Sequence, residues 1–235
     1  MKELIHFLRD LQQHNHREWF NDNKSRYLEN QQKWNAFCEE LIREIGKFDT
    51  DIAGLTLRDC TYRIYRDTRF SSDKSPYKTH FGVFMAPGGK KSMHAGYYFH
   101  VGTGEEDGYP QAHMLAAGNY CYDPKAVKLL REDIRDRWEE FSQTVLGSVD
   151  PCFAVDWEDA LKKVPRGYDA SAPYADWMRL KNYCLCAYVD NDFVCAPHLP
   201  QRVAALFRTT QAFNRFINRG VDYALQEARD GEKRL

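Results

Sequence analysis

The chain has 235 residues, 43% of them hydrophobic and 29% charged, a balance that excludes a disordered or collagen-like chain and supplies a sizeable core. Lysine and arginine (33) nearly cancel aspartate and glutamate (34), so a grip on nucleic acid requires a local basic patch rather than bulk charge. No window approaches the roughly 20 apolar residues of a membrane span, and Met1-Lys2-Glu3-Leu4 lacks the apolar block of a signal peptide. The expectation is a soluble, cytoplasmic chain without membrane contact.

The first third reads as helix. Leu4, Phe7, Leu8 and Leu11 recur at helical spacing, and a polar break follows at His14-Asn15-His16. Tyr27, Gln31, Trp34, Cys38, Leu41, Ile45 and Phe48 then step by four and three, which predicts one long amphipathic helix ending near Gly46 to Asp49. The middle reads as strands. Cys60 to Arg66, Phe81 to Ala86, Ala95 to Val101 and Gln111 to Ala117 carry the alternation and the aromatic or β-branched content of a sheet. Pro87-Gly88-Gly89-Lys90-Lys91 and Gly102 to Pro110 are turns, and connections this short imply antiparallel pairing.

Asp123-Pro124 opens another helix, with Asp as cap and Pro at the first helical position; Val127, Leu130, Ile134, Trp138 and Phe141 form its stripe. Trp157 to Lys163 and Ala172 to Lys181 read as short helices, and Asn182 to Val189 as a strand. A helical segment closes the chain, with fraying expected after about residue 226. Strands and helices fall in blocks without a βαβ rhythm or an internal repeat. The expectation is one α+β domain over 1–235, a largely antiparallel sheet packed on the long N-terminal helix and further C-terminal helices.

Seven cysteines, at 38, 60, 121, 152, 184, 186 and 195, form no Cys-x-x-Cys pair. Cys184 and Cys186 stand two apart in an apolar run, so a strand would place both on one face as buried, reduced thiols.

The segment from Arg63 to Thr79 is the most unusual. From Arg58 to Lys78 there are six Lys or Arg residues against Asp59, Asp67 and Asp73. Guanidinium forks, ammonium groups and hydroxyls together suit a phosphorylated or carboxylated ligand. In that reading Arg66 and Arg69 clamp the anion, Arg63, Lys74 and Lys78 add charge, and Asp73 and Tyr77 shape the site; Lys163, Arg166 and Lys181 are weaker additions. Asp67 and Glu18 are the carboxylates available for acid/base work. The competing reading is a salt-bridged turn in which Asp67 and Asp73 hold the arginines. A nucleic-acid module using the same loop, and a scaffold docking a protein partner, are further alternatives.

Strand register offers a second constellation. A turn centred near Lys90 sets His80 opposite His100, and one near Glu106 or Asp107 sets His100 opposite His113; Phe81 then lies beside Phe99, and Phe99 beside Met114. Three imidazoles in a row could hold zinc or iron for a metal-dependent hydrolase, and a slip of one residue would destroy the row. His14 and His16 do not share a helix face. No phosphate-loop, Gly-x-Ser-x-Gly or dinucleotide fingerprint occurs, and the sequence leaves the cofactor unknown.

Three stretches carry a resemblance. They are Asn15-His16-Arg17-Glu18-Trp19-Phe20 with Asn23-Lys24; Arg66-Asp67-x-Arg69-Phe70-Ser71-x-Asp73-Lys74-x-Pro76-Tyr77-Lys78-Thr79; and Leu161-Lys162-Lys163-x-Pro165-x-Gly167-Tyr168 with Arg179-Leu180-Lys181. Together, from about Phe7 to Tyr223, they resemble the conserved hypothetical proteins labelled domain of unknown function 2461. The resemblance implies a compact α+β fold and brings no reaction, cofactor or catalytic residue.

Overall fold

The structure, a computed structural model, describes residues 1–104, 111–120 and 123–232. Helix α1 (Lys2–Gln13) buries Leu4, Ile5, Phe7, Leu8 and Leu11. His16 then accepts the Trp19 N–H on Nδ1 at 3.4 Å and caps α2 (Arg17–Asp22), while Asn23 begins α3 (Lys24–Gly46). The predicted stripe of α3 is its buried face, from Tyr27 through Trp34, Cys38 and Leu41 to Ile45.

Residues 57–66 depart from expectation. Leu57–Cys60 is a helical turn, α4, in which the Asp59 carboxylate accepts the Thr56 N–H at 2.9 Å and hydroxyl at 2.6 Å. Beyond it the chain is extended without a ladder, and its only pairings among the described residues are single bridges, Thr61 to Val83 and Tyr65 to Tyr77. The return leg carries Pro76, which lacks an N–H, so pairing stops there.

The sheet runs β1 (His80–Met85), β2 (Gly96–Gly102), β3 (His113–Asn119), β5 (Tyr183–Val189) and β4 (Ala154–Val155), in that spatial order and antiparallel throughout. One face, carrying Phe81, Val83, Met85, Tyr97, Phe99, Val101, Leu115 and Leu185, joins the helices in a single buried cluster. Trp34 meets Phe81 and Phe99 with ring centroids 5.8 and 6.3 Å apart. On the opposite face Met114, Ala116, Cys184 and Cys186 form a second, small cluster with Tyr98 against it. The fold is therefore α+β, as the segregated blocks imply.

Asp123 caps α5 (Pro124–Asp136), and a π-helical turn (Glu140–Val145) continues its path. Trp157 to Lys163 is not a helix. The Asp156 side chain takes the Glu158 N–H at 2.9 Å and turns the chain instead. Helix α6 spans Ala175–Arg179. The C-terminal segment divides into α7 (Asn191–Cys195), α8 (Leu199–Thr209) and α9 (Gln211–Glu232), the last extending past the residue where fraying was expected. No helix among the described residues is long and apolar enough to cross a membrane.

Candidate functional site

The basic segment folds as a short ribbon beside β1. Its two legs are tied by Arg66 N–H to Pro76 carbonyl at 3.0 Å and Lys78 N–H to Ile64 carbonyl at 2.8 Å. Asn15, at the break between α1 and α2, anchors the base: its amide donates to the Tyr77 carbonyl at 2.9 Å and accepts the Tyr77 N–H at 3.1 Å. A single side chain thereby stands in for a missing strand neighbour. Phe20 of α2 stacks on Tyr77 with centroids 3.9 Å apart, and Tyr65 closes against both rings.

The ribbon's charges are paired within the loop. Arg66 meets Asp73, and Asp73 also accepts the Ser75 N–H at 2.9 Å and hydroxyl at 2.7 Å. Arg69 forks onto Asp67, Nε to Oδ1 at 2.9 Å and Nη2 to Oδ2 at 2.6 Å. Lys74 donates to the Thr68 carbonyl at 2.9 Å. The Arg66 guanidinium holds the Asp73 carboxyl well below the usual carboxylate range, with Ser75 helping, and Arg69 lowers Asp67 in the same way. Asp67 is consequently a weak base at neutral pH. Arg63 is exposed, while the ammonium groups of Lys78 and Lys90 lie over the Tyr62 ring at 5.3 and 5.8 Å. Glu18 stands exposed in the first turn of α2, the helix whose Phe20 supports the ribbon.

The cations seen in the sequence are only half of the surface. Tyr62 (42% exposed), Tyr65 (44%) and Phe70 (96%) alternate with Arg63, Arg66 and Arg69 along it. The spacing Tyr-Arg-x-Tyr-Arg-x-x-Arg-Phe was the available signal, masked because alternating aromatics ordinarily mean a strand core.

Lys163, Arg166 and Lys181 do not join this site. Leu161 and Arg179 exchange contacts at 2.8 Å near the β5–β4 edge, whereas the ribbon flanks β1 at the other edge. Lys181 lines a small surface cleft with Tyr120, Asp156, Glu158 and Asp159.

The three-histidine row is corrected by the register. His80 pairs with Gly102 and His100 with Gly82, so these two share a face, their rings 5.5 Å apart. His100 lies opposite Met114, whereas His113 lies opposite Val101 and faces the helices. Phe81 likewise meets Val101, and Phe99 meets Leu115. One residue of slip between β2 and β3 separates His113 from the others. The expected turn centre at Glu106 or Asp107 lies outside the described residues. Nδ1 of His113 accepts the Gly102 N–H at 3.4 Å and Nε2 lies 3.1 Å from Asn191 Oδ1; burial lowers the affinity of this imidazole for a second proton. Among the described residues no group of three or more His, Cys, Asp or Glu side chains is placed to hold a metal.

Cys184 and Cys186 do share a face, as the strand spacing requires, with their sulfurs 3.9 Å apart. The Tyr120 hydroxyl, which donates to Asp156, lies 3.7 Å from Cys186 Sγ. The hydrogen bond between the thiols raises the pKa of Cys184 and lowers that of Cys186, and burial adds to the rise at Cys184.

The profile of the conserved hypothetical proteins DUF2461 matches residues 3–216. The chain belongs to this family. No curated protein and no solved structure matches it. The matched range includes both stretches that build the ribbon, around Asn15 and from Arg66 to Thr79, which the structure brings into contact.

Proposed function

We propose that the ribbon binds a phosphorylated ligand that also presents a flat ring, a nucleotide being the simplest compound of that kind. The observation that carries this reading is the interleaving of exposed Tyr62, Tyr65 and Phe70 with Arg63, Arg66 and Arg69. Guanidinium forks match phosphate oxygens, and exposed aromatic faces stack on bases. The Arg–Asp pairs support it rather than oppose it. An exposed pair contributes about 0–1 kcal/mol, so a phosphate can replace Asp67 or Asp73 at small cost on arginines already oriented.

A nucleic-acid strand would use the same chemistry over several units, and its affinity would fall steeply with salt. Asp67 and Glu18 are the carboxylates to replace should turnover be found.

The test is calorimetric titration with ADP, with inorganic phosphate and with a short oligonucleotide, each at two salt concentrations. ADP should bind more tightly than phosphate and retain most of its affinity at the higher salt. The double substitution R66A/R69A should abolish binding and leave the melting temperature near that of the parent. A double variant that folds and binds as the parent does would sink the reading, and binding of the oligonucleotide alone would transfer it to nucleic acid.

A further inference from the structure

The face of the sheet turned away from the helices carries three sulfur side chains that the anion reading leaves unused. Cys184 and Cys186 project from β5, and Met114 of β3 sits one pair along, opposite Tyr188, where Ala116 opposes Cys186. All three belong to one small buried cluster, apart from the main core.

The geometry is specific. With a metal–sulfur bond of about 2.3 Å, a sulfur separation of 3.9 Å corresponds to a sulfur–metal–sulfur angle of about 116°. That is near the trigonal angle of about 120° for a three-coordinate soft ion. A strand holds i and i+2 side chains on one face without further adjustment, so the two thiols are already placed as a chelate. Thiolate and thioether donors select Cu(I) among common metal ions, while among the described residues no third His, Cys, Asp or Glu side chain is grouped with the two thiols as a closed zinc site requires.

An approach exists as well. Tyr120 is partly exposed and touches Cys186 from outside; it also lines the cleft whose wall carries Asp156, Glu158 and Asp159 with one cation, Lys181. Three carboxylates against one ammonium attract a cation to the residue that covers the sulfurs.

We infer that Cys184, Cys186 and Met114 form a binding site for one soft, thiophilic cation of the Cu(I) class, reached past Tyr120. Each thiol gives up its proton as its sulfur–copper bond forms, so two protons leave per ion and the copper remains monovalent. Met114 contributes a neutral thioether. The site is independent of the ribbon, which lies beside β1 at the other edge of the sheet.

The experiment uses the full chain with C152S and C195S, which removes its two exposed described thiols. Cu(I) is titrated without oxygen in competition with a coloured Cu(I) chelator. One ion per chain should be taken from the chelator, C184A or C186A should abolish uptake, and M114L should weaken it. Circular dichroism checks that each variant is folded. X-ray absorption at the copper edge, on the chain with both thiols intact, needs no such variant and should show sulfur neighbours only. Failure to compete for copper, uptake unchanged in folded C184A or C186A, or a nitrogen and oxygen shell around the metal would each overturn the assignment.

Discussion

The ribbon at 61–79 and the interface between α3 and the sheet are both rich in aromatic residues, yet they are held together in opposite ways. Trp34, Phe37, Phe81 and Phe99 are buried and touch one another, so their rings serve as packing area. Tyr62, Tyr65 and Phe70 are exposed, and the ribbon that carries them is shaped by local ion pairs, Asx-type turns and the Asn15 clamp. Stability is concentrated in the first region and available chemistry in the second. Loss of a side chain should therefore unfold the protein in one place and disarm it in the other.

Trp34→Ala offers the largest effect with which to break that contrast. It removes a ring nearly excluded from water, and such truncations cost about 3–5 kcal/mol. Denaturant unfolding should show a midpoint shift of that order; a loss below about 1 kcal/mol would mean that the interface is not the main store of stability. The ribbon comparison is R66A/R69A, whose expected loss of stability is small because both ion pairs are exposed.

Asn15→Ala should fall between them. It deletes two hydrogen bonds to the Tyr77 backbone, each contributing about 1 kcal/mol net, while Phe20 still stacks on Tyr77. The ribbon should open locally before the core does, so limited proteolysis should cut between residues 66 and 75 faster than in the parent, with a modest fall in melting temperature. Unchanged cleavage would show that the aromatic stack, not the amide clamp, sets the ribbon.

Much of this architecture was legible because periodicity reports burial. The stripe from Tyr27 to Ile45, the strands around Val83, Phe99 and Leu185, and the cap at Asp123-Pro124 are each imposed by a local rule that the tertiary structure obeys. The misreadings have local causes too. Cys60 to Arg66 has strand composition, but Thr56 and Asp59 form a capping box that starts a helical turn first. Thr210, whose N–H and hydroxyl both donate to the Phe207 carbonyl, separates α8 from α9, a break that the apolar spacing of the closing helical segment does not show. At the site, residue types pointed to Arg66, Arg69 and their acids, while the pairing geometry and the exposure of Phe70 depend on which leg returns beside which. The histidine row failed for the same reason: composition does not fix register, and one residue decides the face.

His113 tests that register, through the smallest of these effects. Its ring is buried on the helical face, accepting from Gly102; that burial, with Arg9 of α1, disfavours a second proton and outweighs the hydrogen bonds with Asn191 of α7 and Ala112 and the charge of Asp190, which favour it. Its affinity for a second proton is thus lower in the fold than at the ordinary histidine value of 6.5. Below that value the unfolded chain binds protons that the folded chain refuses, so stability must fall as pH falls. The contribution is fully present above pH 6.5 and is lost as pH drops toward the lowered folded value. Denaturant curves from pH 7.5 down to the start of carboxylate titration should show this decline in the parent, and His113→Gln, which keeps an amide for Asn191, should flatten it. An equal decline in the variant would place the proton on another histidine and remove the physical support for a neutral, buried His113 on that face.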